Sequence, residues 1–245
     1  MKKILVIQHV PFEGLGKLDI WCQLRAITPD IYRFFEERPL PDLIQYSGLI
    51  ILGGPMGVLE VDRYPWLQRE IQFIQSTIQA ANIPILGICL GAQILASILG
   101  GSVQHAADKE IGWYPISISP DAKKHPFFQA WPEEFVTFHW HQDTFTPPKE
   151  SFSIASSAAC SQQGFYMEKQ GNSGQTIPIV GFQFHLEMTQ EISKRLVESC
   201  HEDIATAGPF ISSKKQILSG FAPYAKSHTH LFSFLDCWIN TPLNR

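Results

Sequence analysis

The chain predicts an α/β fold: a three-layer open sheet of mainly parallel core strands with helices on both faces, plus a small β-rich insertion and C-terminal helices. Three observations predict it. Up to residue 99, short apolar runs alternate with amphipathic helical patterns, the signature of βαβ units. The apolar runs around 49–52 and 84–88 each end in a glycine-containing turn, and the second passes directly into a helical pattern. From 102 to 170 the pattern changes to short β-rich pieces separated by turn residues, before a buried strand returns at 177–184.

The elements follow in order. Residues 3–8 form the first strand, and 17–26 a short amphipathic helix opened by the turn Gly14-Leu15-Gly16; its spacing matches neither a P-loop nor a dinucleotide fingerprint. A core strand over 48–53 precedes a helix over 66–81, whose apolar face is Trp66, Leu67, Ile71, Ile74 and Ile78. Strand 83–88 leads into a helix over 90–99 that Gly100-Gly101 stops. Short strands are expected within 113–118, 135–140 and 152–158, and a helix over 189–206. This gives a main domain over 1–206. A C-terminal extension over 207–245 holds helices at 209–222 and 224–239, the second with Phe232, Leu235, Trp238 and Ile239 on one face. The extension is expected to pack on the same domain, with a homodimer contact as the alternative.

Composition narrows the function. With 245 residues, 44% hydrophobic and 17% charged, the chain has material for a large core. A net charge of −4 and the lack of a Lys/Arg run argue against a nucleic-acid or anionic-membrane surface. No apolar run reaches the roughly 20 residues that span a bilayer. Five irregularly placed cysteines, at 22, 89, 160, 200 and 237, fit a reducing compartment, so a cytoplasmic protein is expected.

One of these cysteines stands apart. In Gly87-Ile88-Cys89-Leu90-Gly91-Ala92-Gln93 a strand ends, turns sharply and becomes a helix, with small residues on both sides of the thiol. Such a turn exposes a nucleophile, and the free N–H groups of the helix N-terminus favour the thiolate. A buried structural cysteine is the ordinary alternative. A base is available in Phe184-His185-Leu186-Glu187, where an imidazole and a carboxylate two residues apart follow a buried strand. His185 can take the proton from Cys89, and Glu187 can hold the ring in one tautomer. The turn Gly53-Gly54-Pro55-Met56-Gly57 ends another core strand. The N–H groups of Gly54 and Leu90 are then the candidate donors to an oxyanion. Ligands of parallel sheets bind beyond the carboxyl ends of the strands, and all three motifs lie there.

Together these motifs resemble the class I, triad-type glutamine amidotransferases, over about residues 1–190, and within them the free-standing GMP-synthase-like branch. The latter likeness rests on Glu110-Ile111-Gly112-Trp113, Phe138-His139-Trp140-His141-Gln142-Asp143 and Ile154-Ala155-Ser156-Ser157. The resemblance implies a catalytic Cys89, His185 and Glu187, oxyanion donors at Gly54 and Leu90, and Gln93 holding the amino-acid end of the substrate. Met56, His141 and Gln142 complete the implied glutamine pocket. Related glutaminases have Ser-His-Gly-Asp where this chain has Trp140-His141-Gln142-Asp143, so the backbone contact made by the missing glycine is not carried over. His139 and His141 share one strand face, but no third and fourth ligand at zinc-like spacing accompany them. No metal and no cofactor are therefore expected: His141 is read as a pocket wall and His139 as a packed residue.

The implied reaction is hydrolysis of the glutamine side-chain amide through a γ-glutamyl thioester on Cys89. Ammonia would pass to a separate synthase partner, because the chain has no room for a synthase domain. A stand-alone hydrolase of γ-glutamyl peptides or amides is the first alternative. A non-catalytic regulatory protein is the second, and the intact Cys89, His185 and Glu187 speak against it.

Overall fold

A computed structural model describes residues 2–80, 82–171, 174–224 and 228–241. Its centre is a seven-stranded sheet. Five strands run parallel: β1 (Lys3–Ile7), β2 (Thr28–Tyr32), β3 (Leu49–Ile51), β4 (Ile85–Ile88) and β10 (Thr176–Phe182). Two antiparallel pairings extend it, by β9 (Gly164–Gln170) and then β7 (Phe152–Ser153), giving the order β2-β1-β3-β4-β10-β9-β7.

Side chains alternate across these strands, and here both faces are apolar because both are covered. One face carries Ile4, Val6, Ile50, Leu86, Ile88, Val180 and Phe182. It is covered by Leu18, Trp21 and Cys22 of α1 (Lys17–Leu24) and by Leu231, Phe234, Leu235 and Trp238 of α7 (His228–Trp238). The other face, with Leu5, Ile7, Leu49, Ile51, Ile85 and Ile179, lies under α2 (Pro65–Ala80) and α3 (Leu90–Ile98). The C-terminal helix α7 thus belongs to the main core.

A second sheet of three strands forms from the insertion: β6 (Glu134–Phe145), β5 (Val103–Ile118) and β8 (Ala155–Ser156). The hairpin β5–β6 slips register between His105 and Glu110, which sets Glu110 opposite His141 and Gly112 opposite His139. Its Ile111 and Phe138 pack on Ile192, Leu196 and Val197 of α5 (Gln190–Ser199) and Ile217 of α6 (Lys214–Tyr224). The short helix α4 (Pro120–Lys124), capped by the Ser119 hydroxyl, links β5 to the loop before β6.

The fold agrees with the α/β expectation but differs from it locally. Strand β2 is an addition, because Thr28-Pro29-Asp30 does not read as sheet; it is the edge strand, where a proline is tolerated. The pieces at 113–118 and 135–140 are parts of two long strands, and 152–158 splits between the two sheets. The helix expected over 189–206 stops at Ser199 and continues as a 3-10 turn over His201–Ile204. The helix expected from 209 begins at Lys214. There Ser213 and Gln216 form a capping box: the Gln216 N–H donates to the Ser213 hydroxyl at 3.4 Å, and the Ser213 N–H donates to Gln216 Oε1 at 2.9 Å. Ahead of it, Ile211 bridges to Ile111 instead of entering a helix. Residues 81 and 225–227, included in the expected helices, lie outside the described residues. Among the described residues no helix is long and apolar enough to cross a membrane.

Candidate active site

Cys89 sits between β4 and α3 with φ 52° and ψ −107°, a conformation that costs a non-glycine residue of order 1–3 kcal/mol and needs support from its surroundings. Support comes from both neighbouring strands. The Cys89 N–H donates to the Phe182 carbonyl at 2.7 Å, and the Gly91 N–H to the Leu52 carbonyl at 3.2 Å. The turn is closed so tightly that a side-chain carbon on Gly87 would fall 2.5 Å from the Gly91 carbonyl, and one on Gly91 would strike the Ile51 carbonyl oxygen. Glycine is required at both places by close approach.

His185 lies beyond the end of β10 and is pinned to β6 from its backbone: its N–H donates to the Phe138 carbonyl at 2.8 Å, and its carbonyl accepts from the Thr137 hydroxyl at 2.8 Å. The strand ends before His185, yet the pairing with Glu187 survives, with Nδ1 2.6 Å from Glu187 Oε1. The imidazole also interacts electrostatically with the Cys89 thiol. Burial opposes charge on His185, but the Glu187 carboxylate and Cys89 outweigh it and hold its pKa well above the usual histidine value. The Gln183 amide donates to Cys89 Sγ at 3.6 Å, and the Trp140 carbonyl lies 3.8 Å from the sulfur.

The Gly53-Gly54 turn reaches the same point. A side-chain carbon placed on Gly53 would be 3.3 Å from His185 Cε1 and 3.5 Å from Cys89 Cβ. Leu90 is the first residue of α3, where an N–H has no partner inside the helix. A pair that belongs to no sequence motif holds the turn from behind. The ring of His9 meets the Gly53 carbonyl through Nδ1 at 2.9 Å and Glu70 Oε1 through Nε2 at 2.8 Å, and both side chains are fully buried. Both nitrogens face acceptors. Burial disfavours the cation, but Glu70 prevails and raises the His9 pKa.

A cavity of about 600 Å³ opens over the thiol. Of the residues predicted from sequence, Cys89, His185, Gly54, Met56, Gln93, His141 and Gln142 line it. Leu90 and Glu187 stand behind the wall. The Gln93 amide is turned toward Gln183 Oε1 at 3.2 Å and the Asp143 carbonyl at 3.4 Å. Glu13 also lines the cavity, its Oε2 only 2.6 Å from where a Gly53 side chain would begin. Burial pushes its carboxyl pKa up, against the pull of His185 and His9. No motif marks it.

Glu110 and His139 join the cavity-lining His141, with one ligand-type atom from each inside a span of 4.8 Å. His139 is fully buried, and burial lowers its pKa to about 3. Sequence spacing offers no third group for this pair; the β5–β6 register supplies it.

Comparison with known proteins accords with this geometry. The family model for glutamine amidotransferase class-I matches residues 15–201. The glutamine amidotransferase-like protein YfeJ of Salmonella typhimurium is 27% identical over 239 residues, covering 96% of each chain. A glutamine-hydrolysing GMP synthase subunit from Thermoplasma acidophilum is 31% identical over 172 residues, covering 69% of this chain and 76% of that one. Among solved structures, a glutamine amidotransferase from Thermotoga maritima superimposes with a TM-score of 0.84 at 30% identity, covering 98% of this chain and 99% of the other. A strained cysteine at a strand-to-helix elbow, a buried His–Glu pair beside it and this breadth of similarity lead to one assignment: the chain belongs to the class I glutamine amidotransferases, in their GMP-synthase-like branch, enzymes that hydrolyse the amide of glutamine for ammonia transfer.

Proposed function

We propose that Cys89 is the nucleophile of a glutaminase reaction in which His185 moves the proton and Glu187 orients His185. The observation that carries this reading is the meeting of Cys89, the His185–Glu187 pair and the Gly53-Gly54 turn at the ends of three parallel strands. The Cys89 sulfur attacks the side-chain carbonyl carbon of glutamine. The N–H groups of Gly54 and Leu90 receive the negative charge on the oxygen. As the C–N bond breaks, His185 gives its proton to the leaving nitrogen and ammonia departs, leaving a γ-glutamyl thioester. Water, losing a proton to His185, cleaves the thioester to glutamate and the free thiol. Gln93 holds the amino-acid end of the substrate, Met56, His141 and Gln142 wall its pocket, and no cofactor takes part in these steps.

Ammonia then goes to a separate synthase chain. This is supported by relatives named as glutamine-hydrolysing subunits of GMP synthase, two of which are matched over 76% and 93% of their length. The extent of the cavity favours a second reading. Past Cys89 it continues to Lys109, Ile111, Leu196, Cys200 and Asp203, which gives room for a leaving group larger than ammonia, as in a γ-glutamyl amide hydrolase. Purified protein should release ammonia from glutamine and be inactivated by a glutamine-analogue electrophile that modifies Cys89. Faster cleavage of γ-glutamyl dipeptides than of glutamine would transfer support to the second reading, and absence of turnover and labelling with every acyl donor would overturn both.

A further inference from the structure

Glu110, His139 and His141 lie side by side on the hairpin β5–β6, each with less than a tenth of its surface exposed. Their hydrogen bonding is incomplete in a way that calls for a positive centre. His141 Nδ1 is 3.2 Å from the Asp143 carbonyl oxygen, an acceptor only, so the ring proton belongs on Nδ1. That leaves the lone pair of Nε2 facing Glu110 Oε2, a second acceptor, at 3.2 Å. His139 Nδ1 faces the same oxygen at 3.5 Å. Neither nitrogen of His139 has a well-formed hydrogen bond, although the Tyr114 backbone comes near the ring, and Glu110 Oε1 and Gln163 Oε1 are also buried without partners. Buried polar groups left in this state are rare and need an explanation.

The two spacings from Glu110 Oε2 suit a tetrahedral metal centre, and all three ligand atoms lie within 4.8 Å of one another. Bonds of about 2.0–2.2 Å at tetrahedral angles place ligand atoms about 3.3–3.5 Å apart, close to the 3.2 and 3.5 Å found here. The outer groups of such a site are in place as well. Glu110 Oε2 accepts from the Ser157 hydroxyl at 3.0 Å and from the Gln163 amide at 2.6 Å, and the His141 Nδ1–H is anchored on a carbonyl. The Gln163 amide nitrogen is 3.5 Å from His141 Nε2.

We propose that Glu110, His139 and His141 bind one divalent cation of the zinc class. Two imidazoles and a carboxylate suit zinc better than magnesium or calcium, which take all-oxygen shells. The site is enclosed, so the ion is structural. It fixes the segment 139–143, whose Trp140 carbonyl lies against the Cys89 sulfur and whose His141 and Gln142 wall the cavity.

The test uses the full chain carrying Cys89→Ser, which removes the catalytic thiol as a competing ligand, produced without an affinity tag in zinc-supplemented medium. Elemental analysis should find about one zinc per chain. After chelation, cobalt(II) should restore the intense visible bands of a tetrahedral ion and raise the unfolding temperature. Glu110→Gln and His139→Gln should each weaken cobalt binding by roughly a hundredfold or more, while His201→Gln, on the surface, should leave it unchanged. If either ligand variant fails to fold, X-ray absorption of the zinc-loaded Cys89→Ser protein must still show two imidazoles in an otherwise oxygen shell. A folded protein that takes up neither zinc nor cobalt would reduce the cluster to an ion pair of Glu110 with a protonated His141 and overturn the proposal. Undiminished binding in folded His139→Gln would overturn it too.

Discussion

Glu187→Gln isolates the carboxylate's part in the proposed mechanism. The substitution keeps the shape and removes the charge. Glu187 is 5% exposed, its Oε1 receives His185 Nδ1 at 2.6 Å, and its Oε2 is buried with no partner. A glutamine that keeps its oxygen toward Nδ1 offers a neutral acceptor in place of a charged one, and one that reverses sets a donor against a donor. A hydrogen bond to a charged group is worth about 1.5–3 kcal/mol. At about 1.4 kcal/mol per decade, losing it from the state in which His185 carries the proton lowers kcat/KM for glutamine by roughly ten- to a hundredfold. His185→Ala should cost more, since it removes the proton carrier. The pH profile gives an independent reading. With Glu187 present the His185 cation persists well above the usual histidine range; without it, burial is opposed by Cys89 alone and the pKa falls from its wild-type value. The alkaline limb of Cys89 alkylation should therefore move to lower pH in Glu187→Gln. Stability follows the same sign. Because folding raises the pKa of His185, its contribution is complete below the unfolded value of about 6.5 and fades as pH rises through the folded value. The unfolding temperatures of wild type and variant should thus differ more at pH 6 than at high pH. A variant with wild-type kcat/KM and an unmoved alkaline limb would refute the orienting role.

Three further substitutions probe other parts of the argument. Cys89→Ser should abolish turnover and leave circular dichroism unchanged, because a hydroxyl is far harder to ionise; retained turnover would remove Cys89 from the mechanism. Gly87→Ala forces a carbon to within 2.5 Å of the Gly91 carbonyl, and such overpacking costs about 1–3 kcal/mol. In a chain of this size that lowers the calorimetric unfolding temperature by roughly 2–4 °C per kcal/mol and slows labelling of Cys89; an unchanged protein would refute the close packing of the elbow. His9→Ala strands the fully buried Glu70, and breaking such a pair costs about 3–5 kcal/mol. Adding Glu70→Gln in the same chain should recover part of the loss in denaturant unfolding, and no recovery would argue against a stranded charge.

What the sequence made legible is what local chemistry writes into a short stretch. Gly87 to Gln93 reads as an elbow because the required glycines and the helix signal are neighbours in the chain. His185 and Glu187 pair across two residues. The His9–Glu70 pair spans 61 positions and belongs to no motif, and Glu13 becomes part of the site only because the chain after β1 folds over Gly53. The association of Glu110 with His139 and His141 depends on where a strand slips register, which no single-strand pattern encodes. Strand β2 was hidden by Pro29 and Asp30, whose cost is small only at a sheet edge. One missed boundary was readable: Ser213 and Gln216 have capping-box spacing, and that signal places the start of α6 better than apolar periodicity does.

The way the site is held explains why chemistry and geometry can be perturbed separately. Cys89 is fixed through its backbone to Phe182, Gly91 to Leu52, and His185 to Phe138, so three backbone hydrogen bonds from different strands set the relative positions of thiol and imidazole. None of these bonds involves the reacting side chains. Replacing Cys89 or Glu187 therefore changes proton affinity and nucleophilicity on an unmoved frame, whereas replacing Gly87 moves the frame and leaves every reacting group chemically intact. The strain at Cys89 belongs to the frame as well. A residue at φ 52° between two backbone anchors cannot relax without breaking one of them, so the backbone that carries the thiol is set before any substrate arrives.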